Sequence, residues 1–186
     1  MNKKDKKAIF REKVFQKISK KRVNNYKIDK LINKNLLMYI KKNKMKNIML
    51  YIPLKNEVNI FHLIKDLREK RYNLYVPFME GKSFRLVQYR LPLKKKKFGI
   101  KEPKLSYKKV KNIDLAIVPV LGIDKSLRRV GFGKGMYDRF FEKNSKFIKE
   151  ILFIQRELCY SNEIITNSYD IKADSIITNS INLIEI

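Results

Sequence analysis

The sequence feature that most restricts the fold is a short apolar run in the second half of the chain. The segment Asp114–Val120 reads DLAIVPV and is apolar from Leu115 onward, which is typical of a strand buried on both faces of a parallel sheet. Other short apolar runs recur along the chain and predict further strands. These runs are Asn47–Ile52, Leu74–Phe78, Ser83–Tyr89 (after a turn at Glu80-Gly81), Ile151–Gln155 and Asp174–Thr178.

Between these runs, apolar residues recur every three or four positions, which is the spacing of amphipathic helices. The predicted helices are Asp5–Lys20, Ile28–Ile40, Glu57–Lys70 and Met136–Lys146. Short strands that alternate with helices indicate an α/β fold, and we expect a three-layer α/β/α sandwich with a mostly parallel central sheet. A length of 186 residues suits one domain spanning 1–186. Ligands of such sheets bind beyond the carboxyl ends of the strands, so the loop after Val120 is the first candidate site.

The charge of the chain is strongly positive, with 44 Lys+Arg against 18 Asp+Glu and a net charge of +26. Such an excess favours polyanionic partners: nucleic acid, an anionic membrane, nucleotides or a substrate with many carboxylates. The lysines also accompany abundant Asn and Ile, as a drift towards AT-rich codons would produce. Charge alone therefore does not identify a partner. Because no RNP-like motif, helix-turn-helix or zinc spacing is found, we expect no specific nucleic-acid partner.

The cysteine and histidine content excludes two classes of protein. The single cysteine, Cys159, excludes a disulfide framework, and with the single histidine, His62, it excludes the usual zinc sites. No run resembles a signal peptide or could span a bilayer, so we expect a cytoplasmic protein without a membrane partner. We interpret Cys159 as a buried small hydrophobic residue, His62 as structural, and Lys94–Lys97 as a solvated loop.

The loop after the central strand contains three of the six glycines, Gly131, Gly133 and Gly135, directly before a predicted helix. Alternating glycines allow the backbone to approach a ligand closely. The first N–H groups of the helix and the positive end of its dipole favour an anion. This pattern indicates phosphate binding; a glycine-rich helix start with solvated basic side chains is the alternative.

Charged residues around these glycines support the phosphate interpretation. Arg128, Arg129 and Lys134 add cationic donors, and Asp138, about one turn into the helix, could hold Mg²⁺ against bound phosphates. The common nucleotide signatures nevertheless fail. A P-loop would need Gly at position 128 and Ser or Thr after the Lys, and the dinucleotide pattern would need Gly in place of Met136.

The segment Arg129–Phe140 reads RVGFGKGMYDRF and resembles the signature of the 5-formyltetrahydrofolate cyclo-ligase family. In that family, an Arg-Leu-Gly-x-Gly-x-Gly-Tyr-Tyr-Asp-Arg stretch follows a strand that ends near a Pro, as at Pro119. Four further segments resemble the family in the same order along the chain. They are Lys7–Arg11, Glu57 after Pro53, Gly99–Pro103, and Tyr169-Asp170 with Asp174–Thr178.

Four positions depart from the family pattern. Met136 replaces the first of the paired tyrosines, and Tyr169 replaces a His. Val130 replaces the Leu of the signature, and Leu127 stands where a Gly is usual. Met136 matters most, because a thioether can pack on a pterin ring but cannot donate the hydrogen bond of a hydroxyl.

The resemblance implies a reaction, which is the ATP-dependent cyclisation of 5-formyltetrahydrofolate to 5,10-methenyltetrahydrofolate with release of ADP and phosphate. The formyl oxygen would attack the γ-phosphate, and a neighbouring folate nitrogen would then close the ring. The implied ligands are ATP, Mg²⁺ and a small-molecule folate, which could carry a polyglutamate tail near Lys94–Lys97. We expect the protein to be a monomer.

The resemblance also implies site residues. Lys134 and Arg129 are the implied catalytic residues, since they would neutralise the charge of the transferred phosphoryl group. The residues implied to bind ATP are Lys7, Arg11, Arg129, Gly131, Phe132, Gly133, Lys134, Gly135, Met136 and Tyr137. The residues implied to contact the folate are Glu57, Phe84, Phe132 and Met136. Asp138 and Asp170 are implied to hold Mg²⁺.

Two alternative functions stay open. Because of Met136 and Tyr169, the protein could be a relative that binds ATP but has lost or changed the folate reaction. It could also be a basic nucleic-acid-binding protein. Such a protein would need neither ATP nor folate, and its affinity would fall steeply with salt.

Overall fold

The structure is a computed structural model that describes residues 2–20, 25–96, 101–106, 110, 112–180 and 184–185. Its helices are α1 (Lys3–Lys20), α2 (Asn25–Lys42), α3 (Phe61–Glu69) and α4 (Met136–Asn144), and a 3₁₀ turn (Ser145–Phe147) follows α4. Its strands are β1 (Asn47–Met49), β2 (Asn73–Glu80), β3 (Ser83–Gln88), β4 (Lys94–Lys95), β5 (Lys101–Glu102), β6 (Leu115–Pro119), β7 (Gly122–Asp124), β8 (Arg129–Val130), β9 (Ile151–Ile154), β10 (Tyr160–Ser161), β11 (Ser175–Ile177) and β12 (Ile184–Glu185).

The main sheet contains seven strands in the order β12-β11-β9-β6-β1-β2-β3. The five inner strands run parallel to one another, and the two edge strands, β3 and β12, pair antiparallel with their neighbours. The strand β6 lies in the middle, with Leu115 opposite Ile48 on β1 and Val118 opposite Phe153 on β9. Every residue of β6 is buried. The mostly parallel sheet and its central strand are confirmed.

Helices cover both faces of this sheet. On one face, α2 and α3 pack against it through Leu36, Ile40 and Leu67. On the other face, α4 packs through Phe140 and Phe141. The core consists mostly of apolar side chains. The removal of their surface from water is the main favourable contribution to the free energy of folding. The α/β/α layering predicted from the sequence is confirmed.

The first helix lies outside this layering. Val14 of α1 packs with Leu121 and Cys159, beside a small second sheet in the order β10-β7-β8. Sequence patterns did not predict this sheet, because its strands are only two or three residues long and show no clear alternation. Cys159 is buried and carries a free thiol, as expected. None of the described helices has the length and apolar character that a membrane span requires.

Most predicted elements match the structure to within three residues at each end, and two differ more. The third helix begins at Phe61 instead of Glu57. Residues 54–57 form a turn in which the Glu57 N–H donates to the Leu54 carbonyl oxygen at 3.0 Å. The predicted solvated loop Lys94–Lys97 begins with strand β4, which pairs with β5, although both of its lysines are exposed. Lys97 lies outside the described residues, as do Gly99 and Ile100 of the Gly99–Pro103 segment.

A buried carboxylate on β7 ties the second sheet to the segment that precedes Asp170. The side chain of Asp124 is fully buried. Its Oδ1 accepts the Ser126 hydroxyl at 2.6 Å, and its Oδ2 accepts the Thr166 hydroxyl at 2.6 Å and the Ile165 N–H at 2.9 Å. Burial raises the pKa of the Asp124 carboxyl, but the Ser126 and Thr166 hydrogen bonds oppose burial and together lower it below its usual value.

We predict that Asp124→Asn lowers the free energy of unfolding by about 2–3 kcal/mol, because an amide cannot accept all of these hydrogen bonds. Equilibrium urea unfolding would measure the loss. The matched control is Asp5→Asn, the same change at an exposed carboxylate of α1, which should cost less than about 0.5 kcal/mol.

The pH dependence of this difference follows from the direction of the pKa shift. Because the folded pKa of Asp124 lies below the unfolded value of about 4, its stabilising contribution is complete above that pH. The contribution is lost as the pH falls through the folded pKa. The gap between wild type and Asp124→Asn should therefore shrink on acidification, and a gap that widens at low pH would contradict this role.

Candidate functional site

The glycine loop (residues 131–135) joins β8 to α4 near the carboxyl end of β6. Gly135 has φ +61° and lies directly before α4, in a left-handed conformation that favours glycine. No side chain in the described part of the chain caps this helix, so its first N–H groups remain available to an anion. A Cβ on Gly131 would overlap the guanidinium of Arg129. Glycine at position 131 thus lets the backbone pass directly over that cation.

A cleft of about 580 Å³ opens beside the glycine loop. Positive charge dominates its lining, which suits a polyphosphate. Its cationic lining residues are Lys4, Lys7, Arg11, Arg129, Lys134 and Arg139, and its carboxylates are Asp138, Glu142 and Asp170. We call this space the basic cleft.

The first helix reaches the basic cleft through two of its cationic residues. Lys7 is buried and its Nζ lies 2.5 Å from Oδ2 of the buried Asp170. Arg11 donates from Nε to the carbonyl oxygen of Gly131 at 2.8 Å. These two contacts fasten α1 to both sides of the cleft. The structure therefore brings the Lys7–Arg11 segment next to the glycine loop, although it is more than a hundred residues away in sequence.

Arg129 is buried beneath the glycine loop. Its Nε and Nη2 donate to the carbonyl oxygen of Pro119, the last residue of β6, at 3.2 and 3.1 Å. Its guanidinium lies 4.7 Å from the Tyr137 ring centroid, and its Nη1 is 3.9 Å from Oδ2 of Asp138. Burial lowers the pKa of the guanidinium, and the nearby Asp138 carboxylate opposes that shift. Arg129 stays charged, since even a lowered arginine pKa remains far above neutrality.

The two predicted metal ligands, Asp138 and Asp170, both line the basic cleft. Asp138 on α4 accepts the Ile171 N–H at Oδ1, 3.4 Å away, which joins it to the residue after Asp170. Asp170 accepts the Asn167 N–H at 2.6 Å in addition to the Lys7 ammonium. No group of three or more His, Cys, Asp or Glu residues that could hold a metal occurs in the described ranges. Two carboxylates are enough for Mg²⁺ only if phosphate oxygens and waters complete its octahedron.

A second, apolar cavity of about 200 Å³ lies on the other side of the glycine loop. Aromatic and thioether side chains form much of its wall, and Phe84 meets the Tyr137 ring edge-on at 5.2 Å. Its lining residues are Tyr51, Ile52, Leu54, Glu57, Pro77, Met79, Phe84, Lys101, Arg129, Phe132, Lys134, Gly135, Met136 and Tyr137. All four residues that the resemblance assigned to the folate line this cavity.

Glu57 is the carboxylate in this apolar wall. Burial raises the pKa of its side chain. A hydrogen bond from the Leu54 N–H to its Oε2, 2.9 Å long, and the charges of Arg129 and Arg156 lower the pKa and offset part of that effect. A carboxylate in such surroundings has a strong need for hydrogen-bond donors, and a ligand with N–H groups would supply them.

The two cavities meet at the glycine loop. Arg129, Lys134 and Gly135 line both of them. Lys134 is exposed at the surface between them, so its flexible ammonium can reach a ligand in either space. A ligand in the apolar cavity would therefore lie directly against a ligand in the basic cleft.

Some of the residues that line the two cavities were not predicted from the sequence. Pro77 and Met79 line the apolar cavity from β2, where they occupy alternate positions. Alternation along a strand predicts that the two residues share one face of the sheet. The sequence does not show that this face lines a cavity. Tyr169, a departure from the family pattern, lies at the wall of the basic cleft and is 66% exposed. His62 lies on α3 and lines neither cavity.

The likeness to known proteins agrees with this arrangement. The model of the 5-formyltetrahydrofolate cyclo-ligase family matches residues 3–179. A 5-formyltetrahydrofolate cyclo-ligase of Haemophilus influenzae is 30% identical over 153 residues, which cover 74% of this chain and 82% of the relative. One from Mycoplasma genitalium is 28% identical over 156 residues, covering 82% of this chain and 84% of that protein.

Solved structures give the same result. The 5,10-methenyltetrahydrofolate synthetase of Aquifex aeolicus superposes with a TM-score of 0.76 at 28% identity, and covers 94% of this chain and 90% of its own. The Mycoplasma pneumoniae synthetase shares the fold, with a TM-score of 0.69 at 22% identity over 92% of this chain and 97% of its own. The resemblance first drawn from the glycine loop is confirmed, and the chain belongs to the 5-formyltetrahydrofolate cyclo-ligase family.

Proposed function

We propose that this protein catalyses the ATP-dependent cyclisation of 5-formyltetrahydrofolate to 5,10-methenyltetrahydrofolate, with release of ADP and phosphate. One observation carries the proposal: a basic cleft and an apolar cavity meet at Arg129, Lys134 and Gly135. A reaction that moves a phosphoryl group from a polyphosphate to a ring system needs two such spaces side by side. Family membership supports the same reaction.

The proposed chemistry has two steps. The formyl oxygen attacks the γ-phosphorus, and the bond between that phosphorus and the β,γ-bridging oxygen breaks as ADP leaves. The neighbouring folate nitrogen then attacks the formyl carbon and loses its proton. The C–O bond breaks, and the formyl oxygen departs with the phosphate. Phosphorylation thus turns a poor leaving group into a good one.

The residues of the basic cleft would bind the triphosphate. Backbone N–H groups of the glycine loop and the first turn of α4 would donate to phosphate oxygens. Lys7 and Arg11 would approach from α1, while Lys134 and Arg129 would neutralise the charge that develops on the transferred group. Because Arg129 already donates twice to Pro119, its position is fixed before a ligand arrives.

The carboxylates Asp138 and Asp170 would hold Mg²⁺ in this proposal. Both line the basic cleft, and their oxygens are the hard ligands that this cation prefers. When bound, the ion would neutralise phosphate charge. Asp170 would have to share its oxygens between the ion and the ammonium of Lys7, which lies 2.5 Å from Oδ2.

The apolar cavity would hold the pterin ring. Its volume of about 200 Å³ is smaller than the ~300–1,000 Å³ of pockets that enclose whole ligands, so a flat ring suits it better than an entire folate. Glu57 would accept hydrogen bonds from the amino and ring N–H groups of the pterin. Phe84, Phe132 and Met136 would form the walls against the ring faces.

The alternative of a relative with an altered folate reaction concerns Met136. This side chain lines the apolar cavity and can pack against a ring. It cannot supply the hydroxyl of the tyrosine that the family pattern has there. Met136 would thus weaken folate binding more than ATP binding. The monomeric state, the use of polyglutamylated folate and a cytoplasmic location remain predictions consistent with this reaction.

The proposal predicts that purified protein forms methenyltetrahydrofolate from 5-formyltetrahydrofolate, with a rise in its near-ultraviolet absorbance that requires both ATP and Mg²⁺. Reactions without ATP, or with EDTA in excess of the magnesium, are the controls. ADP should appear in equal amount. If ATP protects the protein against thermal unfolding but no product forms, the altered-reaction alternative would replace the proposal.

We predict that Lys134→Ala and Asp138→Ala each lower kcat/KM at least about tenfold, the scale of a lost phosphate or metal contact. Steady-state kinetics with both substrates varied would measure the loss. The control is Lys143→Ala, which removes an exposed lysine from the last turn of α4, and it should leave the rate within about twofold. Near-wild-type rates in both variants would show that Lys134 and Asp138 do not have the proposed roles.

We predict that Glu57→Gln raises KM for 5-formyltetrahydrofolate about tenfold and leaves KM for ATP within about twofold, because an amide is a weaker acceptor for the pterin N–H groups. The same kinetic matrix would give both constants. An equal rise in both KM values would show that Glu57 does not act on the folate alone.

A further inference from the structure

The loop that carries Glu57 is held by an arginine from a distant part of the chain. Arg156 follows β9, and its guanidinium donates from Nη2 to the Glu57 carbonyl oxygen at 2.5 Å. Its Nη1 donates to the Asn56 carbonyl oxygen at 3.3 Å. These bonds fix the backbone on which the Glu57 side chain depends. That backbone lies in residues 54–60, outside any helix or strand.

The same arginine is fixed in turn by a carboxylate of α2. Arg156 and Asp29 form two parallel contacts, Nε to Oδ1 at 2.8 Å and Nη2 to Oδ2 at 3.0 Å. Asp29 is buried, at 7% exposed. Its Oδ2 also accepts the Asn59 N–H at 3.1 Å. The pair therefore binds residues 56, 57 and 59 of one loop, and we call it the Asp29–Arg156 clamp.

A neighbouring side chain of α2 continues this contact. Asn33 is buried one turn after Asp29, and its Nδ2 donates to the Asn59 carbonyl oxygen at 2.8 Å. Its Oδ1 accepts the Leu63 N–H in the first turn of α3 at 3.1 Å. The loop is thus held from residue 56 to the start of α3 by polar side chains of α2 and by Arg156.

The energetics suggest that the clamp does more than stabilise the fold. A largely buried ion pair gains little net stability, because desolvation of both charges offsets their attraction. Orientation is what a bidentate arginine–carboxylate pair provides best, since its geometry is fixed in a plane. Here the arginine–carboxylate pair orients the backbone of Glu57, and the Glu57 side chain lines the apolar cavity.

We infer that the Asp29–Arg156 clamp is the positioning device for Glu57, and that it sets the affinity of the apolar cavity for the pterin ring. This inference rests on the proposed function, in which Glu57 binds the folate. Arg156 lines neither the basic cleft nor the apolar cavity, and the cavity of about 340 Å³ that it does border, together with Glu57, is a separate one. In this proposal Arg156 therefore acts on the folate through the loop and not by direct contact.

The first test compares Arg156→Gln, Arg156→Lys and Asp29→Asn by steady-state kinetics. Each variant should raise KM for 5-formyltetrahydrofolate, by about tenfold for Arg156→Gln, while KM for ATP stays within about twofold. Arg156→Lys keeps the charge but cannot make the planar pair, so it should rescue the KM only in part. Asp29→Asn keeps the side-chain volume and serves if Arg156→Gln fails to fold.

The matched control is Lys17→Gln. Lys17 pairs with Glu157, the residue after Arg156, at 2.8 Å. It borders a cavity of about 340 Å³ together with Glu57 and Arg156, but in the described part of the chain it donates no hydrogen bond to residues 54–60, unlike Arg156. The Lys17→Gln substitution removes a cation from the same region of the surface but leaves the Asp29–Arg156 clamp intact. Both KM values should therefore stay within about twofold of wild type. A rise in folate KM in Lys17→Gln equal to that in Arg156→Gln would overturn the inference.

The second test is a double-mutant cycle with Glu57→Gln. If Arg156 acts through Glu57, adding Arg156→Gln to Glu57→Gln should change folate KM by less than about twofold. Hydrogen exchange provides a readout that needs no turnover: the Asn59 amide should exchange at least about tenfold faster in Arg156→Gln and at the wild-type rate in Lys17→Gln. Independent, multiplicative effects on KM or unchanged exchange would overturn the inference.

Failure of the proposed function has a different signature. A wild-type protein that forms no methenyltetrahydrofolate overturns the proposed reaction. The positioning role is then judged by calorimetric titration with 5-formyltetrahydrofolate, where wild type should bind about tenfold more tightly than Arg156→Gln. An active wild type with an unchanged folate KM in Arg156→Gln overturns the positioning role alone.

Discussion

The interaction on which the site depends is the pair of hydrogen bonds from the buried Arg129 guanidinium to the carbonyl oxygen of Pro119. A buried cation must be hydrogen-bonded, and the end of the central strand β6 supplies the acceptor. This contact fixes the start of the glycine loop relative to the main sheet. Gly131 can then pass over the guanidinium without a clash. Arg129 is consequently part of the wall of both the basic cleft and the apolar cavity.

Residues from distant parts of the chain complete both spaces because other buried polar contacts hold them there. Lys7 on α1 pairs with Asp170. Asp124 connects the second sheet to the segment just before Asp170 by accepting the Thr166 N–H. Arg156 holds the loop of Glu57 in the same way. Apolar burial builds the layers, but it is not directional. The polar contacts determine which side chains line the two cavities.

The sequence predicted the layers well and the fine connections poorly. The apolar run at 115–120 was enough to identify the central strand, since a strand buried on both faces has a distinct composition. The glycines at 131–135 were enough to predict a phosphate site, and the structure places all three of them in the wall of the basic cleft. By contrast, the second sheet has strands too short for any period to appear. The contacts of Asp124 with Thr166 and of Arg156 with Asp29 join residues more than forty positions apart, so no local pattern could indicate them.

The most direct test of the central claim is a crystal structure with a non-hydrolysable ATP analogue and Mg²⁺. The triphosphate should contact backbone amides between residues 131 and 137, with Lys7 and Arg11 within hydrogen-bonding distance and the ion between Asp138 and Asp170. A nucleotide bound elsewhere, with the glycine loop facing away from it, would contradict the account.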